Sequence, residues 1–351
     1  MTKSFVFNQA GDDWRARIRA MAAPQAITLA ARARKAPLFA HAYAFHLNFR
    51  FGGMTPAALL EFAVEQGLVG VKIHVEDGEA SSLQSMSDAE LQQFGARAVG
   101  LGLAVHVETS TTVNDELRRD VAIAQAVGAS SFRCYPRYQG RVSEIIARAT
   151  EDLQRLEQFE SSGLMRFTLE QHEDLTSAEL VGIIEQVGNP RLSLLFDFGN
   201  MINAFEDPLD ALSIQAPHIT EVHVKDCLVV PDRDGWAHLA CVSGAGHLPM
   251  HALLTELLLL GDTVPQVTAF GLEEEDAYFA PALRFPSEDP DPFIPARTAS
   301  YTDPGPGDLA ERLTREIAAA QGCKFRRCGT GLPSRRCGTR PARSAPHVCQ
   351  P

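Results

Sequence analysis

The chain has 351 residues, 45% hydrophobic and 22% charged, so it is long enough to bury a sizeable core. It contains no run of about 18 apolar residues, which excludes a predicted membrane-spanning helix. The formal charge of −12 is unevenly distributed, because residues 322–351 contain seven Lys or Arg and no acid. Residues 1–321 therefore hold 25 basic and 44 acidic residues. This acidic balance disfavours nucleic-acid and anionic-membrane partners.

Residues 1–36 form a predicted N-terminal extension, rich in Ala and Arg, with helical spacing in WRARIRAMAA. From Pro37 onward, short apolar runs alternate with amphipathic segments that carry helix start signals. The segment TPAALLEF, for example, opens with Thr55 as N-cap and Pro56 in the first turn. In chain order, the predicted strand–helix pairs are 38–46 with 55–68, 69–76 with 87–102, 103–110 with 113–129, 130–137 with 142–163, 165–172 with 176–188, 192–200 with 207–218, 220–230 with 249–262, and 266–275 with 307–321.

Alternating strands and helices predict a parallel sheet with right-handed crossovers. Eight such units over residues 37–321 predict an α/β fold, a closed (β/α)₈ TIM barrel that forms a single domain. The alternative is an open doubly wound sheet, which usually has a glycine-rich turn after its first strand. The segment HLNFRFGGMTP follows the first predicted strand and contains no GxGxxG, so the barrel is favoured.

Two segments lack the periodicity of helices and strands. Residues 281–306 contain seven prolines and are predicted to be a surface connector, with a lid or subunit contact as the alternative. Residues 322–351 are basic, rich in Gly and Pro and without a CxxC pair, so they are predicted to be a disordered tail that catalysis does not need.

The N-terminus lacks the apolar stretch of a secretory signal, and scattered cysteines suit a reducing compartment, so the expected location is the cytoplasm.

Polar residues end the last four predicted strands, where the catalytic groups of a barrel lie. Glu170, Asp197, His223 and Glu273 each follow an apolar run on successive strands, with Glu275 as the reserve for the last position. Carboxylates that lie close together repel one another unless a cation sits among them. Three carboxylates and one imidazole suit Mn²⁺ or Mg²⁺, with Co²⁺ or Zn²⁺ as alternatives. A single such residue is often a helix cap or a core histidine, but four on successive strands favour a metal site.

Short motifs at these positions resemble those of the xylose isomerase-like TIM barrels, and the likeness spans roughly residues 38–280. That superfamily includes sugar and sugar-phosphate isomerases and epimerases, inosose and dehydroshikimate dehydratases, and abasic-site endonucleases. The resemblance implies that the same four residues hold the metal. It also raises the endonuclease alternative, which the acidic body disfavours. The motifs are LEQH (169–172), DFGN (197–200), HVKD (223–226), GAG (244–246) and GLE (271–273).

Roles for neighbouring residues follow from their positions near strand ends and from the chemistry of the expected reaction. Glu170 and Glu273 are expected to exchange a proton with the substrate, while His172 or Lys225 stabilises the developing oxyanion. Some polar residues at or near strand ends can bind hydroxyls or, for an arginine, a carboxylate or phosphate, although each can equally be an ordinary rim residue. The predicted substrate contacts are His46, His74, Arg133 and Asn200.

The predicted function is that of a divalent-metal-dependent isomerase or epimerase of a small sugar or keto-sugar, acting through a metal-stabilised enediolate. The first alternative is a metal-dependent decarboxylase or dehydratase of a 3-oxo sugar acid, in which Arg133 or Lys225 holds the carboxylate. The second alternative is a non-catalytic sugar-binding barrel. The expected partner is a small sugar or sugar acid, without nucleic acid or membrane, and a homodimer is the assembly that base rates favour.

Overall fold

A computed structural model of the chain describes residues 14–275, 278–296 and 309–327. Residues 1–13 of the predicted extension and 328–351 of the predicted tail lie outside these described residues. Among the helices of the described ranges, none is both long enough and apolar enough to cross a membrane.

Eight parallel strands close into a barrel, which confirms the predicted (β/α)₈ fold. The barrel is formed by β1–β4, β6–β8 and β11, and it closes where Leu38–Ala40 pair with Phe270–Leu272. Most barrel strands end earlier than predicted, because the polar residues at their ends leave the hydrogen-bonded ladder. The strands are β1 (Leu38–His41), β2 (Gly70–His74), β3 (Ala104–Glu108), β4 (Ser131–Cys134), β5 (Gly140–Arg141), β6 (Arg166–Glu170), β7 (Leu192–Asp197), β8 (Ile219–Val224), β9 (Asp226–Asp232), β10 (Gly235–Cys241), β11 (Ala269–Leu272), β12 (Phe279–Ala280) and β13 (Phe293–Ile294).

Helices surround the barrel, and local capping explains where several of them begin. Thr55, Ser87 and Thr176 each accept a hydrogen bond from the backbone N–H three residues on, as N-caps do. Gly188, with φ of 63°, ends the helix Ser177–Val187 in the left-handed conformation. The helices are α1 (Trp14–Ala20), α2 (Ala23–Lys35), α3 (His46–Phe51), α4 (Pro56–Glu65), α5 (Asp88–Gly100), α6 (Asn114–Ala126), α7 (Val142–Leu153), α8 (Leu156–Phe159), α9 (Ser177–Val187), α10 (Pro208–Gln215), α11 (Met250–Leu259) and α12 (Leu309–Arg327).

The first strand is shorter than predicted, and this moves His46 away from a strand end. β1 stops at His41, whose Nδ1 accepts a hydrogen bond from the backbone N–H of Tyr43 and caps the 3₁₀ turn Ala42–Phe45. His46 begins α3 instead, with its Nδ1 3.3 Å from Glu316 Oε1. The predicted placement of His46 at a strand end was wrong, because the His41 side chain stops the strand five residues earlier than the apolar run suggests.

The segment 220–230, predicted as one strand, is two. β8 ends at Val224, and β9 then turns away to form an antiparallel hairpin with β10, to which β12 adds. Asp226 fixes this departure, and a Cβ on Gly246 would collide with its carboxylate, so only glycine fits there. The Asp226 carboxylate accepts hydrogen bonds from the backbone N–H groups of Cys227, Gly244, Gly246 and Leu248.

Part of the predicted N-terminal extension packs on the barrel. α2 lies against α11, and the buried guanidinium of Arg32 satisfies carbonyl groups that the end of α11 leaves without helical partners. The described part of 1–36 is therefore tied to the barrel. The guanidinium donates to the carbonyl oxygens of Leu258, Leu260, Gly261 and Asp262.

The last described helix packs near the C-terminal end of β1. α12 lies against α3, and the Glu316 carboxylate accepts hydrogen bonds from the backbone N–H groups of Leu47 and Asn48. This carboxylate satisfies donors at the start of α3. α12 ends at Arg327 and thus continues past Gln321, where the helix was predicted to end.

Alternation along the strands sends apolar side chains outward to the helices and polar ones into the barrel. Phe132 and Phe167, on the paired strands β4 and β6, are fully buried and meet edge to face with centroids 6.4 Å apart. Inside the barrel, Lys72 Nζ and His106 Nδ1 lie 2.5 and 3.0 Å from Glu221 Oε2. The polar interior therefore begins below the C-terminal ends of the strands and continues up to them.

Candidate active site and metal centre

The second half of the barrel brings the four predicted metal ligands together. Glu170 and Asp197 are the last residues of β6 and β7, His223 is the second-last residue of β8, and Glu273 directly follows β11. His223 Nδ1 lies 3.1 Å from Glu170 Oε1 and 3.9 Å from Asp197 Oδ2. The same nitrogen lies 3.5 Å from Glu273 Oε2. All four side chains are buried, and two triads that share His223 could hold a metal ion: Glu170, Asp197 and His223, and His41, His223 and Glu273.

Three buried carboxylate oxygens beside this cluster share one ammonium group. Lys225 Nζ lies 3.1 Å from Asp197 Oδ2, and it lies 3.4 and 3.7 Å from Glu273 Oε2 and Glu275 Oε2. Across the described residues, none of the three oxygens accepts a hydrogen bond. Burial by itself lowers the Lys225 pKa, but Asp197 and Glu273 outweigh it and hold that pKa well above its usual range. Buried carboxylate oxygens without hydrogen bonds suit a cation, so the residues fit a divalent metal.

The three consecutive acids after β11 have different environments. Burial by itself raises the pKa of Glu273, but Lys225 and His223 outweigh it and hold that pKa below its usual range. Burial raises the pKa of Glu275 well above its usual range, and Lys225 offsets this only in part. Glu274 Oε2 accepts a hydrogen bond from the backbone of the 243–246 loop at Ser243. Glu273 Oε2 lies 3.5 Å from His223 Nδ1, and this position favours Glu273 as the ligand within the run.

His41 contacts the cluster as a donor. Its Nδ1 accepts the Tyr43 backbone N–H at 3.0 Å, so its Nε2 carries the proton. That Nε2 lies 3.0 Å from Glu108 Oε2 and 3.4 Å from Glu273 Oε1. Because a protonated nitrogen cannot bind a metal, His41 is excluded from the candidate ligand set despite its position.

Glu108, the last residue of β3, lies beneath His223 in the barrel. Its Oε1 is 3.0 Å from His223 Nε2, and its Oε2 is 2.5 Å from Arg133 Nη2. Burial by itself raises the Glu108 pKa, but Arg133, His41 and His223 outweigh it and hold that pKa well below its usual range. Burial likewise lowers the His223 pKa by itself, and the surrounding carboxylates, Glu273 and Glu108 first, raise it to about 10.

Two of the predicted substrate contacts line the cavity above this centre. Arg133 does so, but its guanidinium is already engaged by Glu108 and by Glu170, whose Oε2 is 3.0 Å from Arg133 Nε. His74 also lines the cavity, with Nε2 2.9 Å from Ser110 Oγ. Burial, followed by the charge of Arg133, lowers the His74 pKa to about 3. His74 is therefore a neutral hydrogen-bonding group.

The other two predicted substrate contacts lie outside the cavity wall. His46 is on α3 beside Glu316, as described above. Asn200 is buried, with Nδ2 donating to the Gln171 carbonyl at 2.9 Å and lying 3.5 Å from Glu170 Oε1. Asn200 therefore contacts the backbone directly after β6 from outside the cavity, and it supports the position of Glu170.

Of the two residues predicted to stabilise an oxyanion, both line the cavity. Lys225 follows β8 and is buried among the carboxylates. His172 stacks on Tyr135 with centroids 3.9 Å apart and an interplanar angle of 10°. Arg133 lies over the Tyr135 ring at 5.1 Å, so these three side chains form a layered wall.

The cavity encloses about 480 Å³, a size that suits a small sugar. Part of its wall is the segment predicted as a surface connector, which pairs with β5 through β13. Tyr278 completes this wall, with its hydroxyl donating to Glu173 Oε1 at 2.8 Å. Residues 279–296 supply five further wall residues, which are Phe279, Pro281, Leu283, Pro295 and Ala296.

Sequence reasoning missed two wall residues beyond β4, Tyr135 and Arg137. Arg137 is exposed, lines the cavity and forms no ion pair within the part of the chain that the structure describes. Its charge nevertheless contributes to lowering the pKa of His74. The available signal was the period-two spacing of Arg133, Tyr135 and Arg137 past the strand end, which places alternate residues toward the cavity.

The closed parallel barrel, with an acid, an acid, a histidine and an acid at the ends of its last four strands, defines the class of protein: a TIM barrel with a candidate metal site on its C-terminal rim. The family model of the xylose isomerase-like TIM barrel matches residues 60–275, so the chain belongs to that family. Over 267 residues it is 53% identical to the uncharacterized protein YihM of Escherichia coli (strain K12), a match that covers 76% of this chain and 82% of YihM.

Two further likenesses are more distant. The chain is 25% identical over 203 residues to the 3-oxo-isoapionate decarboxylase of Pectobacterium atrosepticum, covering 56% of this chain and 70% of that protein. A crystal structure of D-psicose 3-epimerase with D-tagatose, from Clostridium cellulolyticum H10, matches with a TM-score of 0.52 and 14% identity. That match covers 83% of this chain and 98% of the epimerase, and it concerns the fold alone.

Proposed function

We propose that the protein is a divalent-metal-dependent isomerase or epimerase of a small sugar or keto-sugar. One observation carries this proposal: Glu170, Asp197 and Glu273 surround His223 next to a cavity of sugar size that Glu170 and Glu273 line, and each carboxylate has a buried oxygen that accepts no hydrogen bond from the described residues. Mn²⁺ or Mg²⁺ suits this donor set best, with Co²⁺ or Zn²⁺ as alternatives.

The side chains around the centre can carry out proton transfer. A bound divalent ion would supply Lewis-acid polarisation of a substrate carbonyl and its neighbouring hydroxyl. Glu170 and Glu273 come from strands on opposite sides of β8, so each can hold the proton that leaves or returns to the carbon beside the carbonyl. Lys225 stays protonated and donates to the developing oxyanion, and His172, fixed by its stacking contact, offers a second donor.

The test is a turnover assay with a metal control. The purified protein is stripped with a chelator, reloaded with Mn²⁺ and incubated with a panel of keto-sugars, whose epimers are followed by NMR. Interconversion should vanish on stripping and return with Mn²⁺, and Glu170→Gln should lower kcat by about 10²- to 10⁴-fold. Full activity after exhaustive metal removal would contradict the proposal. Sugar binding without any bound ion would favour a non-catalytic sugar-binding barrel.

A second candidate function is decarboxylation or dehydration of a 3-oxo sugar acid at the same centre. Two observations favour it: the likeness to 3-oxo-isoapionate decarboxylase, and the cavity arginine Arg137, which lacks an acidic partner in the described ranges. Arg133 and Lys225, first considered as carboxylate holders, already contact acids of the site. Arg137 is therefore the residue available to pair with a substrate carboxylate.

Carbon dioxide release separates the two candidates. 3-Oxo sugar acids are incubated with the Mn²⁺-loaded protein, and released CO₂ is measured alongside sugar interconversion. For a decarboxylase, Arg137→Gln should raise KM for the acid by about tenfold or more, since a charge-assisted pair is lost. The matched control is Arg118→Gln, an exposed arginine of α6 outside the cavity. Interconversion of neutral sugars with no CO₂ from any 3-oxo acid would end this second candidate.

A further inference from the structure

We propose that Glu108 is the positioning residue of the candidate metal centre. It fixes which ring nitrogen of His223 faces the metal, and through two hydrogen-bond donors, Arg133 and His41, it orients Glu170 and Glu273. The inference rests on the proposed metal dependence, and it concerns a residue that the sequence motifs of the centre do not include. The argument depends on the two oxygens of one buried carboxylate, each of which contacts a different part of the centre.

The first oxygen determines the orientation of the His223 ring. Glu108 Oε1 lies 3.0 Å from His223 Nε2, while Nδ1 on the other side of the ring faces Glu170 Oε1 at 3.1 Å. An ionised carboxylate can only accept a hydrogen bond, so the proton is on Nε2. A metal would displace the proton of Nδ1, which faces Glu170, while Glu108 holds the proton of Nε2, as in a carboxylate–histidine–metal arrangement. Both side chains are fully buried, so water does not compete for either nitrogen.

The second oxygen reaches two more predicted ligands through one intermediate side chain each. Glu108 Oε2 lies 2.5 Å from Arg133 Nη2, and Arg133 Nε lies 3.0 Å from Glu170 Oε2. The same Glu108 oxygen lies 3.0 Å from His41 Nε2, which in turn lies 3.4 Å from Glu273 Oε1. A single carboxylate on β3 therefore supports three ligands that come from β6, β8 and the end of β11.

An amide at this position could not replace the carboxylate. Glutamine keeps one acceptor oxygen and turns an NH₂ group toward a donor, so it can serve either His223 or Arg133 but not both. The alternative is that Glu108 only neutralises positive charge in the barrel, as Glu221 does for Lys72. A purely structural acid would change the free energy of unfolding when removed, but it would leave the metal coordination of the folded protein unchanged.

Metal affinity and metal spectroscopy distinguish these roles. Mn²⁺ binding is measured by titration calorimetry for the wild type, Glu108→Gln and Glu160→Gln. Glu160 is the matched control, a buried acid that binds Arg191 and Ser162 outside the cavity. Glu108→Gln should weaken Mn²⁺ binding by about 10- to 100-fold and alter the visible spectrum of the Co²⁺-loaded protein, since outer-shell partners set ligand orientation. Glu160→Gln should leave both unchanged.

Unchanged Mn²⁺ affinity and an unchanged Co²⁺ spectrum in Glu108→Gln would overturn the proposal. A second measurement needs no variant at Glu108: NMR of the ¹⁵N-histidine-labelled wild type, with His223→Gln to assign the His223 signals. His223 Nε2 should be protonated in both the metal-free and the Mg²⁺-loaded protein, and an unprotonated Nε2 overturns the proposal even if Glu108→Gln does not fold. A wild type that binds no divalent ion refutes the proposed function instead, and the metal-free spectrum still decides the role of Glu108.

Discussion

At the residue scale, the two oxygens of Asp197 have different tasks. Oδ1 accepts the backbone N–H groups of Gly199 and Asn200 at 2.8 and 2.9 Å, which fixes the side-chain rotamer. Oδ2 faces Lys225 and accepts no hydrogen bond from the described residues. The DFGN motif is therefore explained locally: the turn after β7 supplies two donors to one oxygen and leaves the other directed at the centre.

Asp197→Asn tests this division. The amide oxygen can keep both backbone hydrogen bonds, while the NH₂ group replaces Oδ2 and meets the Lys225 ammonium. We expect Mn²⁺ affinity to fall by at least about 100-fold, because even the loss of outer-shell partners lowers affinity by about 10- to 100-fold. Titration calorimetry measures the change, with Asp152→Asn on α7 as a control acid that contacts Tyr138 away from the centre. Wild-type affinity in Asp197→Asn would mean that Asp197 is not a ligand.

His238 on β10 gives the fold a predicted acid sensitivity. Asn203 Nδ2 donates to two carbonyls, so Asn203 Oδ1 accepts from His238 Nδ1 at 2.7 Å, and the ring is neutral. Burial, with a smaller effect of Lys225, lowers the His238 pKa from 6.5 to about 3. Between these values the unfolded chain binds more protons at His238 than the folded one, so the contribution of His238 to stability decreases as pH falls below about 6.5.

The measurement is the free energy of unfolding, from urea titrations between pH 7 and pH 4. His238→Asn keeps a donor for Asn203 but no titrating ring, so its stability should decrease less steeply, by up to about 1.4 kcal/mol per pH unit. Part of the pH dependence of stability should remain in His238→Asn, because the pKa of His74 is lowered in the same direction. His218→Gln, at a partly exposed position, is the control. Parallel pH profiles for wild type and His238→Asn would contradict this account.

At the element scale, one buried polar side chain joins helix α2 to the barrel. The Arg32 guanidinium donates four hydrogen bonds to carbonyl oxygens at the end of α11, at 2.7 to 3.1 Å. Those carbonyls have no helical donors of their own, because they belong to the last turn of α11 and the loop after it. The helix that precedes β1 in the chain thereby packs beside the helix that precedes β11.

Arg32→Met keeps most of the apolar contact and removes these hydrogen bonds. We expect it to lower the free energy of unfolding by about 2–3 kcal/mol, because buried acceptors lose a charged donor. Mn²⁺ affinity should stay unchanged, since Arg32 does not line the cavity. The control Lys35→Met lies at the exposed end of the same helix and should change stability by less than about 0.5 kcal/mol. Equal stability of both variants would show that α2 is held by its apolar face alone.

At the scale of the whole molecule, the acidic barrel and the basic C-terminal segment are expected to act independently. Residues 328–351 are expected to offer little apolar surface to offset the entropy of ordering them. The boundary is placed after Arg327, where α12 ends, because shortening the chain after Gln321 would cut into that helix. Within α12, Glu316 accepts the backbone N–H groups of Leu47 and Asn48, so this helix belongs to the barrel.

A chain shortened after Arg327 should keep its melting temperature, Mn²⁺ affinity and turnover. A chain that ends before Leu309 loses α12 and should be less stable by about 1–3 kcal/mol, because the buried donors at the start of α3 lose their acceptor. Calorimetric melting of both proteins checks the pair of expectations. A large loss of stability or turnover on removal of residues 328–351 would show that this segment contributes to the fold or the site.

The sequence by itself determined the barrel and the residues at its strand ends. The apolar runs before Glu170, Asp197, His223 and Glu273 must be buried strands, and parallel strands of a barrel end on one rim. Helix starts at Thr55, Ser87 and Thr176 were equally readable, because a cap depends on side chains within three residues. These features are local in the chain, so local patterns were enough to predict them.

Tertiary structure alone decided which of the rim residues meet. His46 was misplaced because His41 stops β1 through a side-chain hydrogen bond that no hydrophobic pattern encodes. Glu108 could not be ranked above other strand ends, since its contacts with His41, Arg133 and His223 join residues from 25 to 115 positions apart. The orientation of a buried ring or carboxylate depends on partners from other strands, and sequence periodicity specifies only the face on which a side chain lies.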